Sequence, residues 1–145
     1  MYLREGEMIE HVERLIRAGK WEDALAEAKE LVAKYPTHAA ANAVLGTCHC
    51  HLGDETQGAE QFRKALELDP HFWQAAFSLA KCLDRLGRYE EALEAARAAL
   101  KEKPSSVRIG RFVKAMERLT PEKITDSWQL STKPIYWNIE VTSDE

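Results

Sequence analysis

Two residue types recur through this chain with one period. Gly19, Gly53 and Gly87 stand 34 residues apart, and so do Pro36, Pro70 and Pro104. A fixed period of this length marks an array of stacked units, each touching only its neighbours. The segments after the glycines agree as well. The first unit reads Gly19-Lys20-Trp21-Glu22-Asp23-Ala24 and the third Gly87-Arg88-Tyr89-Glu90-Glu91-Ala92. The second diverges, with Gly53-Asp54-Glu55-Thr56-Gln57-Gly58.

Each recurring feature has a mechanical reason. Glycine takes the left-handed conformation that closes a helix at little steric cost. The aromatic residue two positions on, Trp21 or Tyr89, can cover that turn. The tiny residue that follows, Ala24, Gly58 or Ala92, allows two helices to approach closely. Proline then ends the second helix of the unit and positions the next.

The segments between these markers are amphipathic. Leu45, Cys48 and Leu52 share a face, as do Ala76, Leu79, Ala80 and Leu83. The pattern predicts helices over Glu5–Ala18, Glu22–Lys34, Ala39–Leu52, Glu55–Leu68, Trp73–Leu86 and Tyr89–Glu102. A seventh is expected from Ser105 or Ser106 to Leu119, with serine as its N-cap. Its stripe of Ile109, Phe112, Val113 and Met116 would close the open end of the stack, with Arg108, Arg111 and Arg118 on its soluble side. The expected fold is an all-α, right-handed superhelical solenoid. Three antiparallel helical hairpins (about 5–38, 39–72 and 73–106) and a capping helix (about 106–119) fill residues 1–119, and an extended tail fills 120–145.

The repeat resembles the tetratricopeptide repeat family over residues 5–106. The residues that carry the likeness in the second unit are Leu45, Gly46, Gly53, Gly58, Phe62, Ala65 and Pro70. In the third they are Leu79, Ala80, Leu83, Gly87, Tyr89, Ala92, Ala99 and Pro104. In the first helix Val12 stands where a small residue is usual. In this family the first helix of each hairpin lines a concave surface that binds extended or helical peptides. The resemblance therefore implies a groove of Ile9, Glu13, Ile16 and Arg17 from the first unit, and Ala43, Thr47, Cys50 and His51 from the second. The third would contribute Gln74, Phe77, Lys81, Asp84 and Arg85, and the capping helix Arg108, Arg111 and Arg118. Members that clamp the C-terminal carboxylate of heat-shock chaperones use a fixed set of groove lysines and asparagines. Those positions here hold Ile9, Glu13, Val44, Gln74 and Ser78, so that co-chaperone role is not expected.

Charge is unevenly spread. Residues 1–70 carry 8 basic and 13 acidic side chains, residues 71–123 carry 11 and 7, and residues 124–145 carry one and four. The repeats thus have an acidic end and a basic end, followed by an acidic tail. Lys81, Arg85, Arg108 and Arg111 are candidates for a receptor of acidic residues or of a carboxyl terminus, because a guanidinium fork grips a carboxylate in two places. The alternative is a solvated charged face. A net charge of −4 gives nucleic-acid binding no support. Nor are the basic residues interleaved with stacking aromatics.

The tail changes character. Ile135, Trp137, Ile139 and Val141 alternate with other residues over 135–142, a pattern of a half-buried strand or extended segment. Trp128 and Leu130 add apolar surface upstream. Such a tail could occupy the protein's own groove, exchange between two chains in a homodimer, or pack elsewhere on the repeats.

Three cysteines, Cys48, Cys50 and Cys82, form no disulfide framework by number, which favours a reducing compartment. No stretch approaches the ~20 apolar residues of a membrane span. The first residues are polar and lack the apolar run of a signal peptide. The expectation is a soluble, cytoplasmic protein. Cys48-His49-Cys50-His51 looks like metal chemistry, but adjacent helical side chains point about 100° apart and cannot converge on one ion. At most a spaced pair such as Cys48 and His51 could share one. Cys48 and Cys82 hold equivalent places and are expected to pack inside. No phosphate loop, metalloprotease helix, nucleophile elbow or dinucleotide fingerprint occurs. The sequence thus points to a non-enzymatic module with no metal or cofactor, binding a protein or peptide as adaptor, scaffold or chaperone. A three-repeat secretion chaperone is similar in size and repeat number. The other candidate is a structural unit that assembles with copies of itself.

Overall fold

A computed structural model describes residues 4–120 of the chain. They form seven helices: α1 (Glu5–Arg17), α2 (Trp21–Lys34), α3 (Ala39–His51), α4 (Glu55–Leu68), α5 (Trp73–Arg85), α6 (Tyr89–Glu102) and α7 (Val107–Leu119). The predicted helices match these, two of them end to end and the rest within a residue or so. The tail and its strand-like stretch lie outside the described residues.

The turns are built as the periodicity requires. Gly19, Gly53 and Gly87 have φ of 76°, 89° and 77°, the left-handed region that a side chain disfavours. Each hairpin closes there. Caps fix the helix starts: the Asp54 side chain accepts from the Gln57 N–H at 3.2 Å, and Ser106 Oγ from the Ile109 N–H at 3.2 Å. Serine is thus the N-cap of α7, as expected. Asn42 ties the first hairpin to the second, donating from Nδ2 to the carbonyl oxygens of Pro36 and His38.

Each helix packs chiefly on the next, with lesser contacts of α1 with α3 and α3 with α5. That is the pattern of a one-dimensional stack. Two apolar clusters result. Val12, Ala24, Ala28, Leu31, Val44, Leu45 and Cys48 join α1, α2 and α3. Phe62, Phe77, Leu79, Leu83, Leu93, Ile109 and Met116 join α4 through α7. Val12, although larger than the usual residue at its place, is 1% exposed. Leu52 departs from the expected face: it follows the last residue of α3 and is exposed, because the chain turns there toward Gly53. None of the described helices is long and apolar enough to cross a membrane.

At the crossing of α3 and α4 a close approach requires glycine on both sides. A Cβ on Gly46 would stand 3.1 Å from the Gly58 carbonyl oxygen and 3.1 Å from the Phe62 ring. A Cβ on Gly58 would stand 3.1 Å from the Gly46 carbonyl oxygen and would collide with Cys50 Sγ. The tiny residue expected at position 58 therefore serves two neighbours, a backbone and a sulfur.

Candidate binding groove

The first helices of the hairpins, α1, α3 and α5, form one side of the stack, and α7 continues the row. A cleft of about 340 Å³ opens between them, lined by Glu13, Ala43, Val44, Thr47, Phe72, Gln74 and Ser78. A smaller one of about 90 Å³ follows toward the C-terminal ends of α3 and α5, lined by Thr47, Cys50, His51, Ser78, Lys81, Cys82 and Arg85. Thr47, Phe62 and Ser78 belong to both, so the two are parts of one groove. Phe62 reaches this floor from α4, where the bare backbone of Gly46 leaves room for its ring.

Eight of the residues expected in the groove line these clefts: Glu13, Ala43, Thr47, Cys50, His51, Gln74, Lys81 and Arg85. Ile9 and Ile16 instead pack partly buried against the first apolar cluster. Arg17 is exposed at the end of α1, and Asp84 is half-buried on α5 outside either cleft. Phe77 is 8% exposed and belongs to the core, its ring edge-on to Phe112 with centroids 5.5 Å apart. Phe62 and Phe72 were not legible as groove residues, the first because it lies on a second helix of a hairpin and the second because it precedes α5.

Of the expected basic residues Lys81 and Arg85 line the smaller cleft, whereas Arg108 and Arg111 line neither cleft. The Lys81 ammonium lies 4.9 Å from the centre of the Phe77 ring, and the Arg108 guanidinium 5.6 Å from the same ring. Such cation–π contacts hold both charges over one apolar platform. Burial pushes the Lys81 pKa below the usual lysine value, and the Arg108 and Arg85 charges push it further the same way. Most other arginines of this half are neutralised: Arg88 by Glu91 at 2.7 Å, Arg97 by Glu117 at 3.0 Å, Arg85 by Glu55 at 3.3 Å. Lys81, Arg108 and Arg111 have no acidic partner among the described residues. Arg111 is exposed on α7, and Arg118 is exposed further along it.

A larger cavity of about 540 Å³ lies between the second helices, lined by Leu66, Pro70, Leu79, Ala95 and Ala98. Two of its charges pair with each other, Arg63 with Glu91 at 2.9 Å, and the third, Glu94, is acidic. It presents no unpaired cation to an acidic ligand.

The cysteines require a correction. Cys50 and Cys82 are joined by a disulfide across 32 residues, with Cα atoms 6.9 Å apart. The expectation of no disulfide followed from an odd count, and the third cysteine, Cys48, is simply left free and buried. The compartment assignment that rested on that count loses its support. The four residues of the Cys48–His51 run point apart, as helix geometry requires. Cys48 packs in the first cluster, and burial raises its thiol to about 11. His49 lies 4.0 Å from Asp54, with its pKa lowered mainly by burial. Cys50 faces the groove, and His51 stacks on Trp21 with centroids 3.9 Å apart. Trp21 thus covers a neighbouring ring rather than only its own turn. The ligand-bearing atoms that do gather are those of Cys50, Glu55 and Cys82, all within 4.8 Å of one another. Glu55 opens α4 and was not visible as part of this group from its place in the sequence.

An array of antiparallel helical hairpins with one groove along its first helices defines a helical-repeat protein. The tetratricopeptide repeat model matches residues 9–71 and 52–107, and the chain belongs to that family. A curated relative, an uncharacterised protein of Methanocaldococcus jannaschii, is 50% identical over 42 residues, 29% of this chain and 49% of its own length. The matched segment thus spans about half of that relative. Among solved structures, the TPR2B domain of yeast Sti1 in its pHsp70 complex superposes with a TM-score of 0.74 at 20% identity, covering 80% of this chain and 98% of that one. The Yersinia enterocolitica type III secretion chaperone SycD, in complex with a peptide of the translocator YopD, gives 0.72 at 19% identity, covering 77% and 91%. At these identities the likeness establishes the fold.

Proposed function

We propose that this protein is a non-enzymatic interaction module whose groove holds an acidic peptide segment of a partner protein, as an adaptor, scaffold or chaperone does. The observation that carries the reading is the half-buried Lys81 and the exposed Arg108 held over Phe77, beside Arg85. Burial disfavours the charged lysine, and the Arg108 and Arg85 charges act on it in the same direction. An entering carboxylate would relieve that repulsion and find a guanidinium fork able to grip it. The wider cleft next to it, with Ala43, Val44, Phe62 and Phe72, would take the apolar side chains of the same segment. The related folds of Sti1 and SycD, whose structures hold partner material, support a binding role.

The probe is a decapeptide alternating leucine and glutamate, with a fluorophore at its N-terminus and a free carboxyl terminus. Fluorescence anisotropy should show saturable binding that weakens as salt rises, because part of the attraction is between partly exposed charges. The matched leucine–lysine peptide should not bind. Equal affinity for both peptides, at all salt concentrations, refutes the basic groove.

A second reading is favoured by charge. Residues 71–123 carry a net +4 and residues 124–145 a net −3, ending in Asp144 and Glu145. The tail would then be the groove's own occupant, in cis or exchanged within a homodimer. Removing residues 121–145 should strengthen binding of the acidic decapeptide or dissolve a dimer seen by light scattering. No change in either quantity counts against the tail.

A further inference from the structure

The Cys50–Cys82 bond lies where the groove reading needs its cations. Cys50 belongs to the first helix of the second hairpin and Cys82 to that of the third. The bond therefore fastens two repeats that otherwise meet mainly through α4. Its two sulfurs sit in different surroundings. Both cysteines line the smaller cleft with Ser78, Lys81 and Arg85, but only Cys50 is partly exposed. Cys82 is 1% exposed and sits in the core cluster. The Cys50 end of the bond is the more open to attack from the groove, and the Cys82 end is the more closely packed.

The repeat has made room for this sulfur. Positions 24, 58 and 92 are equivalent by the 34-residue period and hold Ala24, Gly58 and Ala92. Only the middle one lacks a Cβ, and a Cβ there would overlap Cys50 Sγ. The remaining cysteine is kept out of the exchange. Cys48 is fully buried and its thiol is raised to about 11 by that burial. Cations beside a cysteine have the opposite effect and favour the thiolate, the form that exchanges. Lys81 and Arg85 line the same cleft as Cys50, and Glu55, whose carboxylate lies within 4.8 Å of its sulfur, is itself paired with Arg85.

We propose that Cys50 and Cys82 are a reversible thiol–disulfide pair that regulates the groove, with the oxidised form the tighter binder of acidic peptide. The regulatory half of this rests on the groove reading above. The oxidant is a low-molecular-weight disulfide of the glutathione class. The Cys50 thiolate attacks one of its sulfurs, and the first small thiolate leaves. Cys82 then loses its proton to solvent, attacks the Cys50 sulfur of the mixed disulfide and expels the second small thiolate. Two protein thiols become one disulfide, and the small disulfide becomes two thiols. A small dithiol reverses the sequence. Two effects then act in one direction. The bond holds α3 and α5 in the spacing that presents Lys81 and Arg85, which pre-organises the site. Reduction frees a thiolate at Cys50 that competes for those same cations.

The full-length chain is equilibrated in buffers of reduced and oxidised glutathione, alkylated, and mapped by mass. The expected link joins residues 50 and 82, forms and breaks reversibly, and leaves Cys48 unmodified until the chain is denatured. Oxidation should raise the melting temperature by roughly 5–15 °C, given the size of the closed loop. Affinity for the leucine–glutamate decapeptide should fall about fivefold or more on reduction. In Cys50→Ser, affinity should not respond to redox state. Failure of the 50–82 link to form in any buffer overturns the proposal. So does equal affinity of the two states. So would a zinc ion held by reduced Cys50, Cys82 and Glu55 that blocks oxidation. If the link forms reversibly and neither state binds the decapeptide, the groove reading falls, and the regulation with it, while the thiol pair stands.

Discussion

Phe62→Ala is expected to cost about 3–5 kcal/mol, the range for emptying an aromatic site in a close-packed core. Phe62 is 2% exposed, and its ring lies over the bare backbone of Gly46. Neither neighbour can fill the gap. Gly46 has no side chain, and the α3–α4 crossing is already held at contact by Gly46 and Gly58. The position magnifies the loss. In a one-dimensional stack each unit is stabilised by its interfaces, so damage to the middle unit weakens both of its neighbours. Phe62 lies in the middle hairpin, whose first helix α3 contributes to both clusters and whose second helix α4 belongs to the C-terminal one. Thermal unfolding followed by circular dichroism should show a melting temperature lower by roughly 10–20 °C. Leu68→Ala, at an exposed leucine on the same helix, is the control and should change stability by no more than about 0.5 kcal/mol. A drop for Phe62→Ala no larger than the control's would refute this account of the core.

The helices and turns of this fold were legible because backbone mechanics leaves a periodic trace. A left-handed turn demands glycine at 19, 53 and 87, and a helix end followed by a new hairpin admits proline at 36, 70 and 104. Contacts between helices leave no such trace. The period equates Cys48 with Cys82, 34 residues apart, and so pointed to two buried cysteines in equivalent places. Equivalent positions on stacked helices lie side by side, each facing its own hairpin. The residue that meets Cys82 is Cys50, two positions off the period and on the groove side. The same holds for Glu55, which meets Arg85 across 30 residues. The basic end of the groove was legible as a list of residues. Its platform was not, because Phe77 draws Lys81 and Arg108 together from two helices. Ile9 and Ile16 were placed in the groove by family position, yet they pack partly buried against the cluster that α2 completes.

Reversing the charge of Arg108 and Arg111 together is the change with the largest expected effect on binding. The Arg108 guanidinium is held over Phe77, and reversal both removes a cation and sets a carboxylate beside the Lys81 ammonium. That carboxylate would neutralise Lys81 internally and compete with any acidic ligand. Arg111 is exposed on the same helix with no acidic partner among the described residues, so its reversal acts mainly through longer-range attraction. Arg108→Glu with Arg111→Glu should weaken binding of the leucine–glutamate decapeptide by roughly tenfold to a hundredfold, about 1.4–2.8 kcal/mol. The salt dependence should flatten, since the screened attraction has been removed. Arg85→Glu alone is expected to do less, because Glu55 already neutralises that guanidinium at 3.3 Å. Lys101→Glu, at an exposed residue of α6 that lines neither cleft, should leave affinity within about twofold, because exposed charges are screened by salt. The fold should survive the double reversal, because Ile109, Val113 and Met116 carry the packing of α7 and neither arginine is buried. An unchanged affinity with an unchanged salt slope would mean that these charges are a solvated face. The acidic segment would then have no receptor at this end of the groove.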